Sequence, residues 1–299
     1  MPVSPSTGRI FLHVDFNAYF ASIEQQANPL LRGRAIGVGG KPGTRSVVTT
    51  ASYEARAKGV KTAMSSHKAK ELCPELEMIH GDPRKYSEMT DRFQAILHRW
   101  ATNMSSTSID EVYLDVTEAA EDWLGAFGIA LQIREAIRQE IGSFVTVSIG
   151  IAANMLMAKV ASNSEKPNGL VLIYPGEEEA FLDTRELIDI PGIGPRLEAR
   201  LHTFGIQSIP ELRSCNLPWL RAHFKQYASF LYAAARGQGS TVFTPKEAAK
   251  SIGHCYTLPF DTTNPRHLRG TLSRLADKVG WRLRNHHLAA RRYTAVARF

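Results

Sequence analysis

Ser106-Thr107-Ser108-Ile109-Asp110-Glu111-Val112-Tyr113-Leu114-Asp115 puts two adjacent carboxylates, Asp110 and Glu111, inside a β-branched, strand-like run. A third acid, Asp15, stands at the end of the apolar strand Ile10-Phe11-Leu12-His13-Val14. Desolvating a carboxylate is costly, so a charge on an apolar strand implies a partner. Three acids with no adjacent base imply a hard cation, and the natural reading is a Mg²⁺ site for phosphoryl transfer. In a regular strand Asp110 and Glu111 would project to opposite faces. Both can reach one centre only if the chain bends there, so a tight hairpin turn or bulge is expected close to the pair.

Working outward, the strand from Ile10 to Asp15 is followed by a helix from Ala18 to about Gln26, closed by Asn28-Pro29. Ala35–Gly39 and Ser46–Thr50 read as short strands around a Gly-rich turn, Tyr53–Lys58 and Ser66–Leu72 as helices. From Pro83 to Trp100, Tyr86, Met89, Phe93, Ile96, Leu97 and Trp100 recur at helical spacing. Two strands around Asp110-Glu111, a helix from about Glu118 to Ile141 and the strand Val145–Ile151 complete the series. With the insert after Asp15 set aside, the order is β-α-β-β-α-β. This is the ferredoxin-like arrangement, an antiparallel sheet with helices on one face. It brings the end of the first strand beside the middle hairpin, so that Asp15 meets Asp110 and Glu111.

From about Tyr174 the pattern changes to short helices. Leu187 to Leu197, with Pro191-Gly192-Ile193-Gly194 at its centre, reads as a helix, a hairpin and a second helix. Gly237-Gln238-Gly239-Ser240 marks a linker. Beyond it Ser251–Leu258 reads as a strand, Pro265 to about Asn285 as a helix, and Tyr293–Phe299 as a strand. The stop inside that strand suggests a shortened C-terminal domain.

The 299 residues suffice for two or more domains. No apolar run is long enough to span a bilayer and no signal peptide is evident, so a membrane role is excluded from the reading. Cys73, Cys215 and Cys255 are scattered and odd in number, which suggests a reducing compartment without a disulfide framework. Between Thr241 and Phe299 lie 11 basic and 3 acidic residues, an excess larger than the net charge of +7 of the whole chain. The basic charge is therefore concentrated at the C-terminal end, as a polyanion-binding surface requires.

Four segments occur in order: Asp15-Phe16-Asn17-Ala18-Tyr19-Phe20-Ala21-Ser22-Ile23-Glu24, Ala51-Ser52-Tyr53-Glu54-Ala55-Arg56-Ala57-Lys58-Gly59-Val60, Ser108-Ile109-Asp110-Glu111, and Glu165-Lys166-Pro167-Asn168-Gly169. Together they closely resemble the Y-family, or translesion, DNA polymerases, and the stretch Gly43–Val48 through Ala63-Met64 resembles the DNA polymerase IV branch. The resemblance runs from about Arg9 to the last residue. It implies an α+β, right-hand polymerase: a ferredoxin-like palm (1–18 and 81–173), small fingers (19–80), a helical thumb with a helix-hairpin-helix (174–240), a linker (241–250) and a partial α/β little finger (251–299).

The resemblance also implies roles. Asp15 and Asp110 bridge two Mg²⁺ ions, for which Mn²⁺ can substitute; Glu111 binds the ion nearer the primer, and the Phe16 carbonyl completes the nucleotide-side ion. Such a metal pair activates the attacking 3′-hydroxyl and neutralises the pyrophosphate. Tyr53, Arg56 and Lys166 grip the β- and γ-phosphates, aided by backbone amides of Asn17 to Phe20 at a helix start. Phe20 matches the steric gate that rejects ribonucleotides. Tyr19 beside it joins the nucleotide-binding set, with a core position as its alternative. Gly192, Gly194 and Arg196 resemble the hairpin that binds DNA backbone without reading sequence, and Arg282, Arg284, Arg291 and Arg292 extend that grip in the little finger. Val47, Thr49 and Ala63 near the base pair suggest a tolerant, low-fidelity site.

The implied partners are primer–template DNA, deoxynucleoside triphosphates and a sliding clamp. The expected state is a monomer in the bacterial cytoplasm, with the nucleoid. Two rivals stand beside this reading. A DNA-binding scaffold that does not polymerise is opposed by the intact Asp15, Asp110 and Glu111. A nucleotide cyclase is opposed by the hairpin motif, the basic C-terminus and Phe20.

Overall fold

The computed structural model describes residues 8–244 and 249–297. β1 (Phe11–Phe16) leads into α1 (Tyr19–Ala27). Next come β2 (Ile36–Gly39), β3 (Thr50–Ala51), the short helices α2 (Tyr53–Arg56) and α3 (Ser66–Leu72), and β4 (Glu77–His80). α4 (Pro83–Leu97), β5 (Met104–Ser106), β6 (Glu111–Asp115), α5 (Thr117–Ala120), α6 (Trp123–Glu140), β7 (Val147–Ala152), α7 (Met155–Ser164) and β8 (Leu170–Leu172) follow. The remaining elements are helical: α8 (Glu178–Leu182), α9 (Pro195–Thr203), α10 (Ile209–Ser214), α11 (Leu217–Phe224), α12 (Ala228–Ala234) and α13 (Pro265–Asn285). None is long and apolar enough to cross a membrane among the described residues.

The chain divides into two compact units. The first runs to Arg34 and resumes over Asp82–Phe243; the second comprises Ala35–Gly81 and the chain from Thr244. Residues 19–34, including α1, thus belong with the first unit, whereas the sequence reading assigns them to the fingers. Met1–Thr7 of the expected palm, 245–248 of the expected linker and Arg298-Phe299 lie outside the described residues.

In the first unit the sheet order is β5-β6-β1-β7-β8. β1 is the central strand because its residues are buried on both faces. Antiparallel pairing joins it to β6 on one side and β7 on the other. The path β1-α4-β5-β6-α6-β7 is the expected ferredoxin-like arrangement. Two features depart from expectation. β8 pairs parallel to β7, which makes one edge mixed, because α7 carries the chain across as a βαβ crossover. Helices also cover both faces. The Phe16 ring lies 3.9 Å from Phe93 of α4, whereas His13, on the alternate face, hydrogen-bonds Ser162 of α7.

α7 sits directly on β7 at Gly150. A Cβ there would overlap the Ala158 carbonyl oxygen and the Ser162 amide nitrogen. α7 also shares a core with the helical segment, through Met157, Ile190, Leu201, Leu220 and Leu231.

The second unit holds a three-stranded sheet, β3-β2-β4, over a core of small side chains such as Val48, Ala55, Val60 and Ala69. β4, parallel to β2, is an element the sequence reading lacks. The expected strand Ser46–Thr50 is reduced to Thr50-Ala51 in β3 and a single bridge from Val47 to Ser65. α13 is the longest helix, started by the Asn264 side chain and Pro265, yet none of its residues is buried. The expected strands Ser251–Leu258 and Tyr293–Phe299 do not form among the described residues. Neither segment finds a ladder partner, and an extended chain without one is not a strand.

Two helix expectations also change. Glu118–Ile141 is broken into α5 and α6 at Glu121, in the left-handed region at φ 58°. Asp122 caps α6 by accepting from the Gly125 amide at 2.7 Å, and that Asp-x-x-Gly pattern is the signal the helical periodicity hides. The first helix of the hairpin motif is a single 3₁₀ turn, Leu187–Asp189, before Gly192 and α9.

Candidate active site

Asp15 sits opposite Glu111 in the β1–β6 register, so both carboxylates project from the same face of the sheet. β6 begins at Glu111; Asp110 belongs to the turn that joins it to β5. The bend expected next to the pair is therefore present, closed by a bond from the Thr107 amide to the Glu111 carbonyl at 3.1 Å. The Asp110 carbonyl accepts from the Phe16 amide at 3.0 Å, which ties the turn to the end of β1. Its carboxylate accepts a hydrogen bond from the Ser108 hydroxyl at 2.5 Å.

Two lysines reach the carboxylates. Lys166, in the turn after α7, pairs with Asp15 at 2.7 Å. Lys159, on α7 itself, pairs with Glu111 Oε2 at 2.7 Å, and that oxygen also accepts from Thr107 Oγ1 at 3.2 Å. Asp15 is 5% exposed. Burial pushes its carboxyl up to about 6, against the pull of Lys166 and with a further push from the hydrogen-bonded Glu111. Burial acts in the same sense on Glu111, but the Lys159 ammonium outweighs it and holds that carboxyl at about 2. Of the pair, Asp15 is the harder to ionise.

Beside them His13 is fully buried. Burial, reinforced by Lys159, lowers its imidazole to about 3, so the ring is neutral. Its Nδ1 lies 2.6 Å from Ser162 Oγ.

Among the described residues no three His, Cys, Asp or Glu side chains converge on one point. The cause is visible: Asp110 is turned onto Ser108, and Asp15 and Glu111 are drawn to lysines. The donor chemistry nonetheless fits a hard divalent cation. It offers only oxygens, and the two facing carboxylates are desolvated enough that each already engages a cation.

The strand-to-helix corner after Asp15 is built around Asn17. Its Oδ1 accepts from Thr146 Oγ1 at 3.0 Å and from the Asn168 amide at 2.7 Å; its Nδ2 donates to Ser148 Oγ at 2.9 Å. Asn17 thus holds the Lys166–Asn168 turn against β1 and β7. Ala18 follows in the left-handed region at φ 48°, and no side chain caps the N-terminus of α1. A strained non-glycine residue at such a corner costs on the order of 1 kcal/mol, and its effect is to leave a helix start open beside Asp15.

Tyr19 is a core residue. It is 2% exposed, and its hydroxyl donates to the Tyr86 carbonyl at 2.8 Å. Phe20 is half-buried, its ring centroid 4.3 Å from that of Tyr86. The Tyr86 hydroxyl donates to the buried Glu24 at 2.7 Å, and Glu24 pairs with Lys85 at 2.7 Å.

Tyr53 and Arg56 belong to the second unit. There the Arg56 guanidinium lies 5.0 Å from the Tyr53 ring centre, and its Nε donates to the Ala51 carbonyl at 3.0 Å. In the hairpin, Gly192 has φ 109°, a conformation open to glycine, and a Cβ would also meet the Phe230 ring at 2.7 Å. Gly194 is the N-cap of α9, with open space where a Cβ would be, and Arg196 follows Pro195 in the first turn. Arg282, half-buried, donates to the Gly253 carbonyl at 2.8 Å, whereas Arg284, Arg291 and Arg292 are exposed.

Of the residues the sequence reading brings together, the structure sets Asp15 opposite Glu111 and pairs Lys166 with Asp15, while the Asp110 side chain is turned onto Ser108; the reading passes over Lys159 and the Asn17 side chain. Lys159 is a single lysine within α7, whereas Lys166 lies beyond the end of that helix, so helical spacing gives no signal that links them. Asn17 offers none, because its partners are distant in sequence.

Three family models match the chain: the impB/mucB/samB family over residues 14–163, its HHH motif over 175–206 and its C-terminal domain over 249–299. The chain is 35% identical to DNA polymerase IV of Listeria monocytogenes over 93% of its own length and 77% of that protein. It is 36% identical to DNA polymerase IV of Halorhodospira halophila over 98% and 82%. Among solved structures it is similar to a Y-family DNA polymerase chimera of Dbh and Dpo4, with a TM-score of 0.82 and 31% identity over 91% of this chain and 79% of that one. It is also similar to an insertion ternary complex of Dbh DNA polymerase, with a TM-score of 0.73 and 31% identity over 91% and 80%.

Proposed function

This chain belongs to the impB/mucB/samB family of Y-family DNA polymerases and is a DNA-directed DNA polymerase, and on that premise we propose that it extends a primer 3′-hydroxyl by two-metal-ion phosphoryl transfer, with low fidelity, in synthesis across damaged template bases. The observation that carries the reading is the pairing of Asp15 with Glu111 across β1 and β6, with Asp110 at the adjoining turn. These three side chains and the Phe16 carbonyl are the ligands, and Mg²⁺ is the ion, with Mn²⁺ as a substitute. When bound, the ions supply activation of the attacking oxygen and neutralisation of the departing pyrophosphate.

The rest falls to the chain's own groups. Lys166 gives its ammonium to the triphosphate, from a turn that Asn17 fixes. The uncapped start of α1 offers backbone amides to the same anion. Tyr53 and Arg56, already stacked on each other, add a hydroxyl and a guanidinium. Phe20, backed by the Tyr86 ring, crowds the sugar 2′ position. Gly192, Gly194 and Arg196 take duplex phosphates, with Arg282, Arg284, Arg291 and Arg292 as a second, purely electrostatic grip. Val47, Thr49 and Ala63 leave room for imperfect base pairs. Primer–template DNA and deoxynucleotides are the partners, with a sliding clamp as a further one, and the protein acts as a monomer in the cytoplasm.

The test is primer extension on a short primer–template with Mg²⁺ and the four deoxynucleotides, with Asp110→Ala beside the wild type. Template-directed extension by the wild type alone supports the reading. Equal extension by Asp110→Ala would overturn the metal assignment.

A further inference from the structure

Lys159 has no part in the roles assigned above. It is not in the hairpin, it is not the lysine that serves the triphosphate, and its partner is one of the metal-binding carboxylates. We propose that Lys159 is a positioning residue that holds Glu111 in place before metal arrives and competes with the incoming divalent ion for Glu111 Oε2. The proposal rests on the metal-site reading of Asp15, Asp110 and Glu111.

The geometry distinguishes Lys159 from a solvated surface lysine. Its side chain is only 23% exposed, and the ammonium lies 2.7 Å from Oε2. Its backbone is fixed as well. The Lys159 carbonyl accepts from Ser162 Oγ at 3.0 Å, and that hydroxyl is held by His13 Nδ1 at 2.6 Å. α7 presses onto β7 at Gly150, where any side chain would collide with the helix backbone. Lys159 is therefore delivered to Glu111 by a rigid element, from the same sheet face that carries Asp15.

An ammonium and a divalent cation placed on one carboxylate oxygen repel each other, and a partly desolvated site screens that repulsion poorly. The ammonium also keeps Glu111 oriented when no metal is present, so the carboxylate does not have to be positioned anew. The cost is weaker resting affinity for the metal. Lys166 stands in the same relation to Asp15, but the proposed reading gives it the triphosphate as an alternative anion and gives Lys159 none, so Lys159 stays as the competitor at Glu111.

The experiment is Mn²⁺ binding to the nucleotide-free protein, followed by electron paramagnetic resonance, for wild type, Lys159→Met, Lys159→Arg and Asp110→Ala. Lys159→Met should bind about tenfold more tightly at the site that Asp110→Ala weakens. Lys159→Arg, whose guanidinium can hold Glu111 through two donors, should bind about threefold more weakly than wild type. If Lys159→Met fails to fold, the arginine variant still decides. Unchanged or weaker binding in the methionine variant, or tighter binding in the arginine variant, overturns the proposal while Asp110→Ala still reports the site. Binding that is the same in Asp110→Ala and wild type overturns the metal-site reading, and the role of Lys159 with it.

Discussion

The β1–β7 region and the α13 segment use their residues in opposite ways. Around β1 every residue from Phe11 to Phe16 is buried, and the charged groups there are few, paired and held by neighbours. Along α13 none of 21 residues is buried, while Trp281, Leu272 and every arginine and lysine side chain but the half-buried Arg282 face solvent. The contrast matches the tasks proposed for the two regions. Phosphoryl transfer needs carboxylates fixed to within a fraction of an ångström, and only a dense core holds side chains that way. Gripping a phosphate backbone needs charge at the surface, and loose positioning is tolerated.

The sharpest way to break this comparison is at Gly150. An alanine Cβ there meets backbone atoms of α7, not flexible side-chain ends. α7 must lift, and Lys159 and Ser162 leave Glu111 and His13. Gly150→Ala should cost about 3 kcal/mol or more in chemical denaturation. A loss below about 1 kcal/mol would mean that α7 is not seated firmly and that the site is less rigid than the sheet beneath it.

Phe20→Ala comes next. Discrimination between deoxy- and ribonucleotides should fall by about 10²-fold in single-nucleotide insertion, equivalent to about 2.7 kcal/mol. The loss should appear as ribonucleotide incorporation and leave the melting temperature nearly unchanged, because Phe20 is only half-buried. Unchanged discrimination would return Phe20 to a packing role against Tyr86.

The same contrast explains what can be read from the sequence. Asp15, Asp110 and Glu111 are legible because charges in β-branched, apolar runs are conspicuous, and the ferredoxin-like order follows from the alternation of strands and helices around them. Lys159 and Asn17 are not, since a lysine on a helix and an asparagine at a corner are common; their roles come from partners that only the folded sheet brings near. The break at Asp122 is hidden because apolar periodicity continues across it. The expected C-terminal strands fail for the reason that makes α13 different. Val-, Tyr- and Thr-containing runs have strand propensity, but a strand exists only with a neighbour, and the segments 251–258 and 293–297 have none.

On the exposed side, replacing Arg284, Arg291 and Arg292 together by alanine should weaken duplex binding uniformly across sequences. The dependence of log affinity on log salt should flatten by about one for each phosphate that is no longer neutralised. Arg282 is a poorer choice, because its guanidinium also holds the Gly253 carbonyl and its removal would mix folding with binding. Weaker binding with an unaltered salt slope would show that these arginines act through structure.

The smallest effect is the most discriminating counterpart to Gly150. Gly270 lies within α13, and among the described residues a Cβ there meets nothing within 4 Å. Glycine inside a helix is unfavourable by about 0.5–1 kcal/mol relative to alanine, so Gly270→Ala should stabilise α13 by that amount. The measurement is hydrogen exchange of the α13 amides, which should slow about two- to fivefold in the local-opening regime. The same substitution that disrupts the sheet would then improve the helix, because one glycine is required by a neighbour's backbone and the other by nothing among the described residues. If the helix becomes more protected but duplex DNA binds less tightly, the open space over Gly270 is where a phosphate backbone passes, and the glycine is kept for the ligand.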